Sequence, residues 1–331
     1  MSTSPLRGAM VPVTRQMRAY FAPVDRATET PTIFDPGLAG LFPLDAPPAP
    51  WVDLGWIENF TRWYDTPTDA ALSGAKSLPA AQFRGPLEAR VEFDFRQWGK
   101  LQMALAGGSE HMNVLALAAG SASPAPSGGT PAAGVAVLPG STASELVFGS
   151  GAASAFPARS LLAVDLDYQQ QIGYVGSGIA AAYVSDPIDV KQDPNYVRRV
   201  TFNVGRVAEV TATSVVLTQP LLGGMPAAGA SAQMVAAFVD REGGSFFQEW
   251  SALFVTEEES GGRVCFYYPR LSPGAMGAGK LAREGFAEIA KPVAAVSLHA
   301  AFLALPFTDT NDGQSVLCYR SYFPAGLAAV Y

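Results

Sequence analysis

The residues best placed to do chemistry are Gly274-Ala275-Met276-Gly277-Ala278-Gly279-Lys280, a run that matches the phosphate-cradling loop up to its lysine. In such a loop, backbone N–H groups surround phosphates ahead of a helix and a following Ser or Thr hydroxyl holds magnesium. Leu281 stands at the hydroxyl position, and too little chain follows for the parallel sheet of a nucleotide-binding domain. The run reads as a glycine-rich loop before a short helix over 280–290. The two histidines, His111 and His299, are isolated, and a lone histidine in an apolar strand reads as a packed or half-exposed residue and not as a base. Cys265 and Cys318 both lie in strand-like runs, too few and too far apart for a zinc site, and read as free buried thiols. Asp309-Thr310-Asn311-Asp312-Gly313 has the look of a calcium loop, but its glycine is out of register and the closing Glu is missing, so it reads as a turn. Asp165 and Asp167 share one strand face without an acid, base or metal partner and read as surface groups, and Glu257-Glu258-Glu259 reads as a solvated loop, with a charged channel rim as the second reading. Gly-x-Ser-x-Gly is absent. Trp51, Trp56 and Trp63 have the rings to stack sugars or bases, yet only Arg62 is interleaved with them, which favours core or subunit contacts. The expectation is a chain with no catalytic residue, cofactor or metal, whose working part is a surface.

Composition points the same way. Charged residues are 15% of the chain, below the usual quarter, so apolar surface is available for burial against partner subunits. The 33 glycines and 26 prolines disfavour helices and supply turns. The net charge of −7 makes the chain a poor grip on phosphates; on its own it reads first as ordinary solubility, and second as a surface that nucleic acid slides past. No signal peptide is visible in Met1–Met10, and no apolar run reaches the roughly 18 residues of a membrane span.

The elements that must build this surface are mostly strands. Residues 87–96 alternate strictly: Leu87, Ala89, Val91, Phe93 and Phe95 on one face, Glu88, Arg90, Glu92, Asp94 and Arg96 on the other. The apolar face must meet a core and the charged face water, either bulk solvent or the inside of a channel. Trp98, Leu101, Leu105, Met112 and Leu115 then continue with helical spacing, interrupted by Gly107-Gly108. A strand is expected over Met17–Val24, a Pro-rich loop after it, and a long loop over Asp65–Gly85. Residues 119–159 are rich in Gly, Pro and Ser and read as a linker, and 160–239, with short strands between turn signals, as a small β-barrel or sandwich. After 240, Arg263–Tyr268 is a strand, and Val296–Phe307 and Ser315–Phe323 are long strands joined by a turn at Asn311-Asp312-Gly313. The organisation expected is one outer β domain, 1–118 with 240–331, interrupted by the linker and the small unit. A faint echo links Arg96–Leu101 with Gln248–Leu253.

This order of features resembles the major tail tube proteins of long-tailed bacteriophages. The resemblance rests on the alternating strand Leu87–Arg96 running into Trp98–Leu105, on the segment 65–85 as the long loop, and on Val296–Phe323 as the closing strands. It implies a mainly β fold: an antiparallel β-sandwich or barrel tail-tube domain with a short flanking α-helix, here carrying an inserted, outward-facing β domain. It further implies hexameric rings that stack into a tube in the virion, assembled in the host cytoplasm. The partners implied are copies of itself, the tape measure, terminator and distal tail proteins, and genomic DNA passing without specific binding. On this likeness Glu88, Arg90, Glu92 and Asp94 face the lumen, and Trp51, Trp56, Trp63, Tyr64, Leu72 and Lys76 lie at contacts between subunits or rings. Another tail or baseplate protein and a carbohydrate-binding, adhesin-like module remain as alternatives.

Overall fold

The alternation at 87–96 and the aromatic run after Trp51 become neighbouring strands. The computed structural model describes residues 13–24, 29–37, 42–48, 50–66, 68–73, 78–85, 87–97, 99–118, 132–165, 182–183, 203–241, 249–258, 261–274, 284–285 and 297–324. Its first part runs β1 (Val13–Pro23), β2 (Val52–Asp65), β3 (Thr68–Ser73), β4 (Leu78–Arg84), β5 (Glu88–Phe95) and α1 (Lys100–Gly107). The segment 65–85, expected as a loop, is a hairpin. β3 and β4 pair from Thr68↔Arg84 to Ser73↔Leu78 and prolong the β2–β5 pair, whose register ends at Asp65↔Glu88. α1 stops at Gly108, whose φ of 60° puts it in the left-handed region and whose N–H caps the Ala104 carbonyl. A Cβ there would stand 3.0 Å from Pro273, so glycine is needed for space as well as for conformation. The helical stripe therefore does not continue through Met112 and Leu115, which belong to the next strand.

The second part comprises β6 (Glu110–Leu115), β7 (Val135–Ala136), β8 (Glu145–Val147), β9 (Leu161–Asp165), β10 (Ala182–Tyr183), β11 (Val204–Val210), β12 (Ser214–Leu217) and β13 (Ser231–Arg241). These form one sheet in the order β10-β6-β13-β9-β11-β12-β8, with β7 on β13. Two expectations are corrected here. Residues 119–131 lie outside the described residues, but 132–159 are no linker: Val137, Leu146, Phe148 and Phe156 pack with Leu162, Val164, Val207 and Val215 in a core of their own. The unit placed at 160–239 accordingly begins at β6. Strands of two or three residues between Gly, Pro and Ser turns are too short to show a period, which is why they pass for linker.

The chain then continues through β14 (Trp250–Glu258), β15 (Arg263–Pro273), β16 (Glu284–Gly285), β17 (Ser297–Ala304), β18 (Phe307–Thr308), β19 (Ser315–Val316) and β20 (Tyr319–Phe323). Six strands close into an antiparallel barrel, β17-β5-β2-β1-β14-β15, sealed by Leu271↔Ala304, Ser272↔Leu303 and Pro273↔Phe302. The fold is mainly β. Ala89, Val91, Phe93 and Phe95 point into the barrel, where they meet Phe21, Trp250, Phe254 and Phe302, and Leu101 and Leu105 of α1 join the same core. Phe93 stacks on Phe302 with ring centroids 5.6 Å apart.

Three more expectations shift. Within the helix expected at 280–290, Glu284 and Gly285 are extended and pair with Leu298 and Ser297, and the rest lies outside the described residues. The turn at 311–313 is present, with Gly313 at φ 72° and its N–H bonded to the Asp309 carbonyl. Its flanks pair only through β18–β19, however: β17 joins β5, whereas β20 joins β15. Ala300 and Phe302 belong inside the barrel while Tyr319 and Phe323 pack on its outside, so the two strands part. The echo has no common fold, since Lys100 and Leu101 open a helix and Trp250–Leu253 a strand.

Candidate assembly surface

The two halves of the barrel wall meet their surroundings differently. Over β1, β14 and β15 the described parts of the Pro-rich segment, 29–37 and 42–48, lie as a strap. Phe34, Phe42 and Trp51 pack there on Tyr20, Ala22, Leu253, Val255, Cys265 and Tyr267. Phe42 stands edge-on to both Tyr20 (5.2 Å) and Trp51 (5.8 Å). Polar groups fasten the strap: Tyr267 Oη donates to the Thr32 carbonyl at 2.9 Å, Tyr20 Oη to the Leu44 carbonyl at 3.0 Å, and the Thr32 N–H to Ser251 Oγ at 2.9 Å. Arg18 ties it through Asp45 at 2.7 Å. Trp51, expected at a subunit contact, is thus an internal residue, 6% exposed. Cys265 lies beneath the strap, its thiol pushed up to about 12 by burial, and Cys318 is likewise a free thiol.

Over β2, β5 and β17 no such strap lies among the described residues. Glu88, Arg90, Glu92 and Asp94 stand on the outer face, opposite the buried Ala89, Val91, Phe93 and Phe95. Leu87, grouped with the apolar face, is 49% exposed because it precedes the strand. Cross-strand register gathers further groups around Asp94. Asn59 Nδ2 donates to Asp94 Oδ2 at 2.6 Å, and His299 Nδ1 lies 2.7 Å from Asp94 Oδ1. Asn59 reaches that position because it sits at the register shift between Glu58 and Thr61 with a left-handed φ of 53°, which an Asn tolerates. Glu58 pairs with Arg96 at 3.0 Å, and the Arg90 guanidinium lies over the Trp63 ring at 5.5 Å. Among the described residues the carboxylates Glu58, Asp65, Glu88, Glu92 and Asp94 outnumber Arg90 and Arg96 on this face, a surplus that disfavours phosphate.

Of the other residues expected at contacts, Trp56 (38%), Trp63 (48%) and Tyr64 (69%) are exposed. Leu72 lies in β3, and its side chain, like all of Lys76, is outside the described residues. Glu58, Asn59 and His299 were not foreseen on the face. Nothing local in the sequence announces them, because only the pairing of β17 and β2 with β5 puts them beside Asp94. Among the described residues no group of His, Cys, Asp and Glu side chains is placed to hold a metal ion. No protein-family model matches the chain, and no curated protein matches it either.

Proposed function

We propose that this chain is a non-enzymatic structural subunit that assembles with copies of itself into stacked rings, forming the tail tube of a long-tailed bacteriophage. The observation that carries the reading is the division of the barrel wall: one half is covered by the chain's own strap, the other, among the described residues, presents a charged stripe flanked by exposed Trp56 and Trp63. Exposed aromatics of this size are typical of surfaces that become buried on association. In a ring, the outer face of β2, β5 and β17 lines the bore, where its surplus of carboxylates lets DNA pass without sticking. The β3–β4 hairpin, extending the β2–β5 pair, reaches towards the next ring, and the sheet between α1 and β14 decorates the outside. Tape measure, terminator and distal tail proteins complete the tail in the virion, after assembly in the host cytoplasm.

Negative-stain microscopy of the purified protein across a concentration series tests this. Rings or tubes with a central bore are the expected result. A chain that stays monomeric at high concentration would end the proposal, as would an assembly whose inner wall is basic.

A further inference from the structure

At one end the barrel flares. The β1–β2 register stops at Met17↔Ile57 while β2 continues to Asp65, and β20 adds to β15 outside the closed ring of strands. The inward-facing row of side chains therefore runs out of the core into solvent. On β2 it passes from Phe60, packed at 4.8 Å on Phe254, through half-buried Arg62 to Tyr64, which is 69% exposed. Across the gap, half-buried Phe266 and Val264 face the same way, and their cross-strand partners on β20 are Arg320 and Tyr322, both exposed.

Arg62 spans the gap. Its guanidinium lies 4.6 Å from the Phe266 ring centroid, and its Nε donates to Tyr268 Oη. Its Nη2 lies 3.5 Å from Cys318 Sγ. Arg320 is the cross-strand neighbour of that same Phe266. Both arginines bear on the Cys318 thiol and favour its anion, against the larger upward push of burial. Among the described residues neither arginine has a carboxylate partner, in contrast to Arg18, Arg96, Arg263 and Arg270. Arg62 and Arg320 thus place two guanidiniums without a carboxylate partner among the described residues beside exposed Tyr64 and Tyr322, in a chain with 29 acidic against 22 basic residues.

We infer that this flared end is a contact between copies of the chain, in which a carboxylate of the neighbouring copy enters between Arg62 and Arg320 and its surround covers Tyr64 and Tyr322. The inference rests on the self-assembly proposed above and names a surface for it. Arginine and tyrosine are the side chains that most often dominate such contacts. A pocket in one copy that receives a different surface of the next is a head-to-tail contact, the kind that generates rings where the rotation closes.

The test compares wild-type protein with Arg320→Glu, Tyr322→Ala and, as a control on β11, Arg206→Glu, each an exposed position. Thermal melts establish that all four chains fold alike, and sedimentation velocity gives the concentration at which each assembles. Wild type and Arg206→Glu should assemble together, while Arg320→Glu and Tyr322→Ala should need about tenfold more protein or fail to assemble. Wild-type assembly should also weaken between about 50 mM and about 500 mM salt, as screened ion pairs do. Normal assembly by Arg320→Glu overturns the contact while leaving the proposed function standing. Loss of binding to a duplex oligonucleotide, with assembly intact, would instead assign the flared end to nucleic acid and equally overturn it. A wild type that never assembles removes the proposed function and this contact together.

Discussion

The covered and bare halves of the barrel are built from the same kind of strand and differ in what their outer faces meet. β14 is buried on both sides, so Trp250, Ala252 and Phe254 point inward while Leu253 and Val255 lie under the strap, and every residue from 250 to 256 is buried. β5 is buried on one side only and alternates cleanly between apolar and charged residues. A wall that has found its cover within the chain gains stability from it. A wall that no described segment covers keeps charged and aromatic groups available for another molecule. On the proposed function, the difference teaches where to look for the protein's work: on the face that no described segment of the chain covers.

The sharpest way to break this comparison is to truncate one tryptophan from each half. Trp51→Ala empties a site lined by Phe42 and Tyr267 and should cost about 3–5 kcal/mol, read from denaturant unfolding. Trp63→Ala removes a ring that is 48% exposed and should change stability by less than about 1 kcal/mol. On the proposed function it should instead impair ring formation. Equal destabilisation by the two would show that both halves are covered.

Alkali should strike the covered half next. Burial, the largest cause in each case, raises the phenol pKa of Tyr20, Tyr267 and Tyr268 well above the ordinary value. Each is therefore held neutral by the fold and ionises readily only when unfolded. Their contribution is fully present below about pH 10, the unfolded value, and is lost as pH rises through the folded values. Phenolate absorbance and circular dichroism should change together, because ionising Tyr20 or Tyr267 also breaks its bond to the strap carbonyl. Ionisation of Tyr20 and Tyr267 without unfolding would mean that the strap is not a closed cover.

What the sequence made legible follows from the same contrast. The wet face of β5 writes a period of two into residues 87–96, and the strand and both of its faces can be read directly. The strap has no such signature: Phe34, Phe42 and Trp51 are irregularly spaced among prolines, and only the folded chain shows them meeting one sheet face. This is why Trp51 resembles the exposed Trp56 and Trp63 in sequence and behaves oppositely in the fold. β6 was hidden by coincidence, since Met112 and Leu115 fall near helical spacing after Leu105, and Gly108 is the only local sign that the helix has ended. Barrel closure through Leu271↔Ala304 and the gathering of Asn59 and His299 on Asp94 depend on pairings between distant segments, which no local pattern carries.

The smallest expected effect involves no loss of stability and separates the halves by kinetics. Cys265 lies beneath the strap with its thiol pushed up to about 12, so at pH 8 almost none of it is the reactive thiolate. Cys318 is also raised by burial, but Arg62 and Arg320 oppose that shift and its side chain is only half-buried at the flared end. A thiol reagent such as a disulfide dye should therefore modify Cys318 in the native protein first, with Cys265 reacting at the rate at which the strap opens or the chain unfolds. Mass spectrometry of the modified peptides tells the two apart. Assembly should then slow Cys318 if the flared end is filled by a neighbouring copy and leave the order of the two unchanged in the monomer. Faster modification of Cys265 would mean that the strap opens more readily than the flared end admits reagent, and the strap would not be the closed cover described above.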